Sequence, residues 1–146
     1  MKRLLFLIPI LALILLPMGC ADLDLEGRLG EMIEELIEEI LDDARATYMI
    51  KVCGDTGLNF TGEYEVLRAA FDSDTWVNFS SNSTAVEGQV PEEYTVLDAI
   101  TVTGRFQKQS GGNETLSVEI WRGGDLIGSS NTTFPWGTVV VTAYPS

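Results

Sequence analysis

The side chains of this sequence that could do chemistry are its carboxylates, its two cysteines and five asparagines with a shared local pattern, and their spacing separates catalysis, metal binding and modification. Histidine is absent. Without it the common zinc sites, the Ser-His-Asp and Cys-His nucleophilic systems and haem ligation lack a base or a ligand. Seven carboxylates fall within the thirteen residues from Glu31 to Asp43, a density that raises the question of a metal. Their helical spacing spreads them along one solvated face, whereas a cation needs oxygens that converge on a point. Asp72 and Asp74 form a carboxylate pair of the kind a hydrolase uses, but acids this close in a turn read as solvated caps. The expectation is a chain with no catalytic residue, no metal and no cofactor, and therefore not an enzyme.

The asparagines carry a different signal. Asn59-Phe60-Thr61, Asn78-Phe79-Ser80, Asn82-Ser83-Thr84, Asn113-Glu114-Thr115 and Asn131-Thr132-Thr133 are all Asn-X-Ser/Thr without proline, and they include every asparagine of the chain. With about a quarter of the region Ser or Thr, five of five by chance is on the order of one in a thousand. The pattern points to N-glycosylation of an exported protein. The competing reading is that Ser/Thr-rich β-turns generate such triplets by composition.

Export agrees with the start of the chain. Lys2 and Arg3 precede an apolar run from Leu4 to Leu16, broken only by Pro9, and Pro17-Met18-Gly19-Cys20-Ala21 follows. These are the charged, apolar and small-residue zones of a signal peptide, and the run is short beside the roughly 20 residues of a membrane-spanning helix. Two processing routes fit. Gly19-Cys20 resembles a prokaryotic lipobox, in which Cys20 is lipidated and becomes the first mature residue; the rival is ordinary cleavage after Ala21. Cys53 is then unpaired or pairs with another chain, and a Cys20–Cys53 bridge requires Cys20 to be retained and unlipidated, so no disulfide framework holds the fold. A formal charge of −13 argues against nucleic acid or an anionic bilayer surface as partner, so membrane attachment would run through the lipid anchor. Lipoprotein export combined with N-linked glycans points to an archaeal-like cell surface.

The elements that position these residues follow from periodicity. From Asp22 to Thr47, Leu25, Leu29, Met32, Ile33, Leu36, Ile37, Ile40, Leu41 and Ala44 recur at three and four, one face of an amphipathic acidic helix, firm from Glu31 to Arg45. Beyond it short alternating segments predict strands over Tyr48–Cys53, Gly62–Ala69, Thr75–Ser80, Ala85–Gln89, Tyr94–Leu97 and Thr138–Ala143, with three consecutive strands between Ala99 and Ser130. Domain organisation follows: 1–20 signal peptide, 21–47 acidic amphipathic helix, 48–146 β-sandwich domain.

Within the three central strands, Ile100, Val102, Gly104 and Phe106 alternate with polar residues, as do Leu116, Val118 and Ile120. A hairpin through Gly111, Gly112 and Asn113 would set Phe106 opposite Val118 and Arg105 opposite Glu119. A second hairpin at Gly123-Gly124 would set Ile120 opposite Ile127 inside and Trp121 opposite Leu126 outside. Exposure of Asn78 sends Val77 and Phe79 inward and Trp76 outward, so Trp121, Leu126 and Trp76 form the expected interaction patch. The remaining aromatics, Phe71, Phe106, Phe134 and Trp136, read as core or edge packing. The helix then either covers the Trp121–Leu126 face or self-associates through its apolar stripe.

The segments Gly62-Glu63-Tyr64-Glu65-Val66, Val86-Glu87-Gly88-Gln89-Val90-Pro91, Val102 to Gln109, Leu116 to Ile120 with Gly123-Gly124-Asp125, and Thr133 to Val139 carry a resemblance. Together, from Asn59 to Ala143, they resemble the small secreted β-sandwich domain of MmpS-like membrane-associated proteins and related prokaryotic lipoproteins. The resemblance implies an immunoglobulin-like antiparallel β-sandwich held outside the membrane, with no enzyme activity. Some mycobacterial members work beside RND-type export transporters, which makes an accessory subunit of an envelope or export complex the alternative to a surface binding or structural module. Those members keep an uncleaved transmembrane helix where this chain has Cys20 and an acidic helix.

Overall fold

A computed structural model describes residues 24–72 and 76–144. The signal peptide over 1–20, the lipidation site Cys20 and the turn acid Asp74 lie outside the described residues. Two units make up the chain, Met1–Ile33 and Glu34–Ser146. The described part of the first is helical, the opening of helix α1, Asp24–Ala44. The second holds the remainder of α1 and eight strands: β1 Ala46–Gly54, β2 Asn59–Asp72, β3 Trp76–Gln89, β4 Glu92–Ala99, β5 Thr101–Lys108, β6 Leu116–Arg122, β7 Asp125–Thr132 and β8 Thr138–Ala143.

The strands form two antiparallel four-stranded sheets, ordered β4-β1-β6-β7 and β3-β2-β5-β8. Period-two alternation is the cause. Tyr48, Ile50 and Val52 of β1 and Leu116, Val118 and Ile120 of β6 point inward from the first sheet; Phe60, Val102, Phe106 and Val139 meet them from the second, all in one buried cluster. Phe60 and Phe106 pack edge to face at 5.7 Å. The expected mainly-β, antiparallel sandwich is present. Its strand order is not the A-B-E-D against C-F-G order of constant-type immunoglobulin domains, so the sandwich, rather than that narrower topology, describes the chain.

Several local expectations are corrected. β5 and β6 are not a hairpin: they lie in opposite sheets, β5 between β2 and β8, β6 between β1 and β7. Phe106 stands opposite Gly62 and Val139, and Val118 opposite Val52 and Ser130. Arg105 faces Glu63, and Glu119 faces Lys51. An alternating apolar row is buried equally well beside its neighbour or across a sandwich from it, so alternation alone could not choose. Lys108 makes the choice physical. It continues the inward row Val102, Gly104, Phe106 and is fully buried. Its ammonium donates to the carbonyls of Gly112 (2.7 Å), Glu114 (2.8 Å) and Thr133 (3.3 Å), with the Glu114 carboxylate at 3.7 Å. The 109–115 segment is thereby tied into a crossover between sheets instead of a tight turn.

The two strands expected over Thr75–Ser80 and Ala85–Gln89 are one, β3, paired with β2 without a break. Ser81, Asn82, Ser83 and Thr84 read as a turn by composition, but this stretch is exposed on both faces, where polar side chains suit a strand. Ser81 and Ser83 donate to the Glu65 and Glu63 carboxylates of β2. Phe79 consequently points to solvent, 61 % exposed, rather than inward. Phe134 and Trp136 are likewise exposed, whereas Phe106 is core as expected.

Helix α1 ends where Arg45 turns back onto the sandwich, donating from Nε and Nη2 to the Ala69 carbonyl at 3.2 and 3.0 Å. Leu41 is buried, while Leu36 and Ile40 remain exposed. About half of the apolar stripe expected to be covered in this unit is therefore open.

Candidate functional site

The outer face of the first sheet carries a groove. Strand register places Met49 of β1 between Thr95 and Trp121, and Trp121 opposite Leu126 across the β6-β7 hairpin. The hairpin turn is Gly123-Gly124, with φ of 59° and 93°, the left-handed pair that a two-residue turn between twisted strands requires. Having no side chains, these glycines leave open one end of a groove of about 420 Å³ lined by Thr47, Met49, Lys51, Thr95 and Trp121. Among the described residues no helical residue lines it.

Polar contacts fix the indole. Trp121 Nε1–H donates to Glu119 Oε2 at 2.8 Å, two residues back on the same face of the strand. The Lys51 ammonium lies 5.3 Å from the ring centroid and pairs with Glu93 at 3.2 Å. The groove thus has an apolar floor of Met49 and Trp121 and a charged wall. Cys53, next but one to Lys51 on β1, is half-buried; burial pushes its thiol up, the Glu119 carboxylate adds to this, and Lys51 opposes it.

Of the expected patch, the structure brings Trp121 and Leu126 together, as the hairpin register required. A register shift between Ile120 and Trp121 puts Ile120 opposite Gly128, not Ile127. Trp76 begins β3 of the other sheet and is not part of this face. Met49 and Lys51 were missed. Their signal was the alternation Thr47, Met49, Lys51, Cys53, which names the outer row of β1, but nothing local says that β1 lies beside β6.

All five sequon asparagines are exposed. Asn59 opens β2, Asn78 and Asn82 lie on the edge strand β3, Asn113 on the crossover segment and Asn131 on the edge strand β7. Asn113 therefore sits at a crossover rather than at the expected hairpin tip. A second, polar hollow of about 250 Å³ lies between Asn59 and the crossover, lined by Asp55, Gln109, Ser110 and Glu114 among others. There the Glu114 carboxyl is held below the usual carboxylate range by its own backbone N–H and the Ser110 hydroxyl. Among the described residues no group of acids and cysteines could hold a metal ion. No helix of the described residues is long and apolar enough to cross a membrane. No protein-family model matches the chain. No curated protein matches it at a significant level.

Proposed function

We propose that this chain is a non-enzymatic, lipid-anchored, N-glycosylated surface protein outside the cytoplasm, whose sandwich serves as a binding or structural module. The observation that carries the reading is that every asparagine belongs to a sequon and every one of them is exposed. Transfer of a glycan needs accessible backbone and side chain, and none of the five falls on a buried row. The charged and apolar zones ahead of Cys20 supply the route out of the cell and the anchor. The test is mass spectrometry of the protein purified from the cells that encode it. Glycan-bearing peptides at these asparagines and an acylated Cys20 at the mature N-terminus are expected. Unmodified peptides at all five, or a mature chain beginning at Asp22, overturn the corresponding half of the reading.

The groove beside Trp121 favours a second reading, an accessory subunit of an envelope or RND-type export complex, in keeping with the MmpS-like resemblance. Residue-specific crosslinking from Met49 in intact membranes separates the two: capture of a membrane protein at that position favours the complex.

A further inference from the structure

A sandwich of two open sheets has four edges, here β4 and β7 of the first sheet and β3 and β8 of the second. Outward N–H and C=O groups on an edge are satisfied by water or by another extended strand, and natural sheets discourage the latter with charge, irregularity or polar composition. Three of the four edges show such devices. β4 begins with Glu92 and Glu93 and carries Asp98 in a left-handed conformation, φ 52°, beside a shift in its ladder with β1. β7 begins at Asp125 and has an irregular ladder with β6. β3 is polar on both faces from Ser80 to Thr84, with no apolar side chain to bury.

β8 has none of these. Thr138–Ala143 contains no charge, proline or glycine, and its ladder with β5 is regular. From Leu126 to Ser146 the sequence has no charged side chain at all, in a chain of net charge −13. This is therefore the stretch where two acidic copies meet with least repulsion. Three exposed apolar side chains lie on or beside it: Val140 on the strand is 47 % exposed, and Trp136 before it and Tyr144 after it are 56 % and 68 % exposed. The sequence Thr138-Val139-Val140-Val141-Thr142 reads the same in both directions.

We propose that β8 is a self-recognition edge, at which two copies of this chain pair antiparallel about a two-fold axis through Val140 and join their second sheets into one. Residues directly opposite in an antiparallel pair share a face. This register sets Thr138 against the partner's Thr142, Val139 against the partner's Val141 and Val140 against the partner's Val140. Inward valines meet inward valines and the exposed Val140 meets its copy, so neither sheet turns its core face to solvent. The same register carries Tyr144 toward the partner's Trp136, covering both exposed rings.

The test uses the full chain in a Cys20→Ser, Cys53→Ser background, so that any introduced cysteine is the only thiol. Sedimentation across a dilution series is expected to show a monomer–dimer equilibrium, weakened about tenfold or more by Val140→Lys, which places like charges on the axis without disturbing the core. Under mild oxidation Val140→Cys is expected to give a crosslinked dimer. Thr138→Cys is not, because its copy lies four residues further along the strand, roughly 13 Å away and beyond the ~7 Å Cα limit for a disulfide. A chain that stays monomeric, a dimer indifferent to Val140→Lys, or crosslinking at Thr138→Cys as fast as at Val140→Cys overturns the proposal.

Discussion

At the scale of single residues, the buried Lys108 ties the crossover to the segment before β8. Its three carbonyl acceptors are Gly112 and Glu114 within the crossover and Thr133 in the segment leading into β8, so one ammonium holds both segments. Lys108→Met keeps the stem and removes the donors, leaving three part-buried carbonyls without their charged partner; a loss of roughly 1–3 kcal/mol in urea unfolding is expected. Cys53 gives a second residue-level prediction. With the thiol pushed up by burial and then by Glu119, its thiolate forms only at pH above that of an ordinary cysteine. Alkylation followed against pH should show a midpoint above that of a free cysteine, and Glu119→Gln should move it down. Neither feature was legible in the sequence. A lysine at the end of an apolar row reads as the row's termination, and Glu119, the largest charged influence on Cys53, arrives from β6, far along the chain.

Among the elements, face alternation and turn type are legible locally, whereas strand partners and the extent of an all-polar strand are not. β8 occupies the residues its alternation marks, Thr138–Ala143, and the Gly123-Gly124 turn sets Trp121 opposite Leu126 as its type demands. The false hairpin between β5 and β6 arises because period describes a strand's faces but not its neighbours, and the false break in β3 because a strand exposed on both faces has a turn-like polar composition. The half of the candidate site on β6 and β7 was accordingly visible, and the half on β1 was hidden. Two glycines test the backbone account. Gly124, φ 93°, has open space around it, so Gly124→Ala should cost about 1–2 kcal/mol from the left-handed backbone alone. Gly54, φ 135°, would place a Cβ 2.0 Å from the Thr115 carbonyl oxygen, so Gly54→Ala should cost clearly more. Thermal melts of the two variants give the ranking directly.

For the whole molecule, the five exposed sequon asparagines lie on β2, β3, β7 and the crossover, and none lies on the uncharged strand β8. The sheet order has a consequence in time as well as in space. Only β2-β3 and β6-β7 join neighbours in the chain; β1 must wait for β4 and β6, and β5 for β8. Ile50 finds Ile120 only after most of the polypeptide is available. Such long-range pairing places folding in the slow, millisecond-to-second class, measurable by stopped-flow fluorescence of the tryptophans. A chain that cannot close its first strand until its sixth has emerged stays threadable for as long as it is being made.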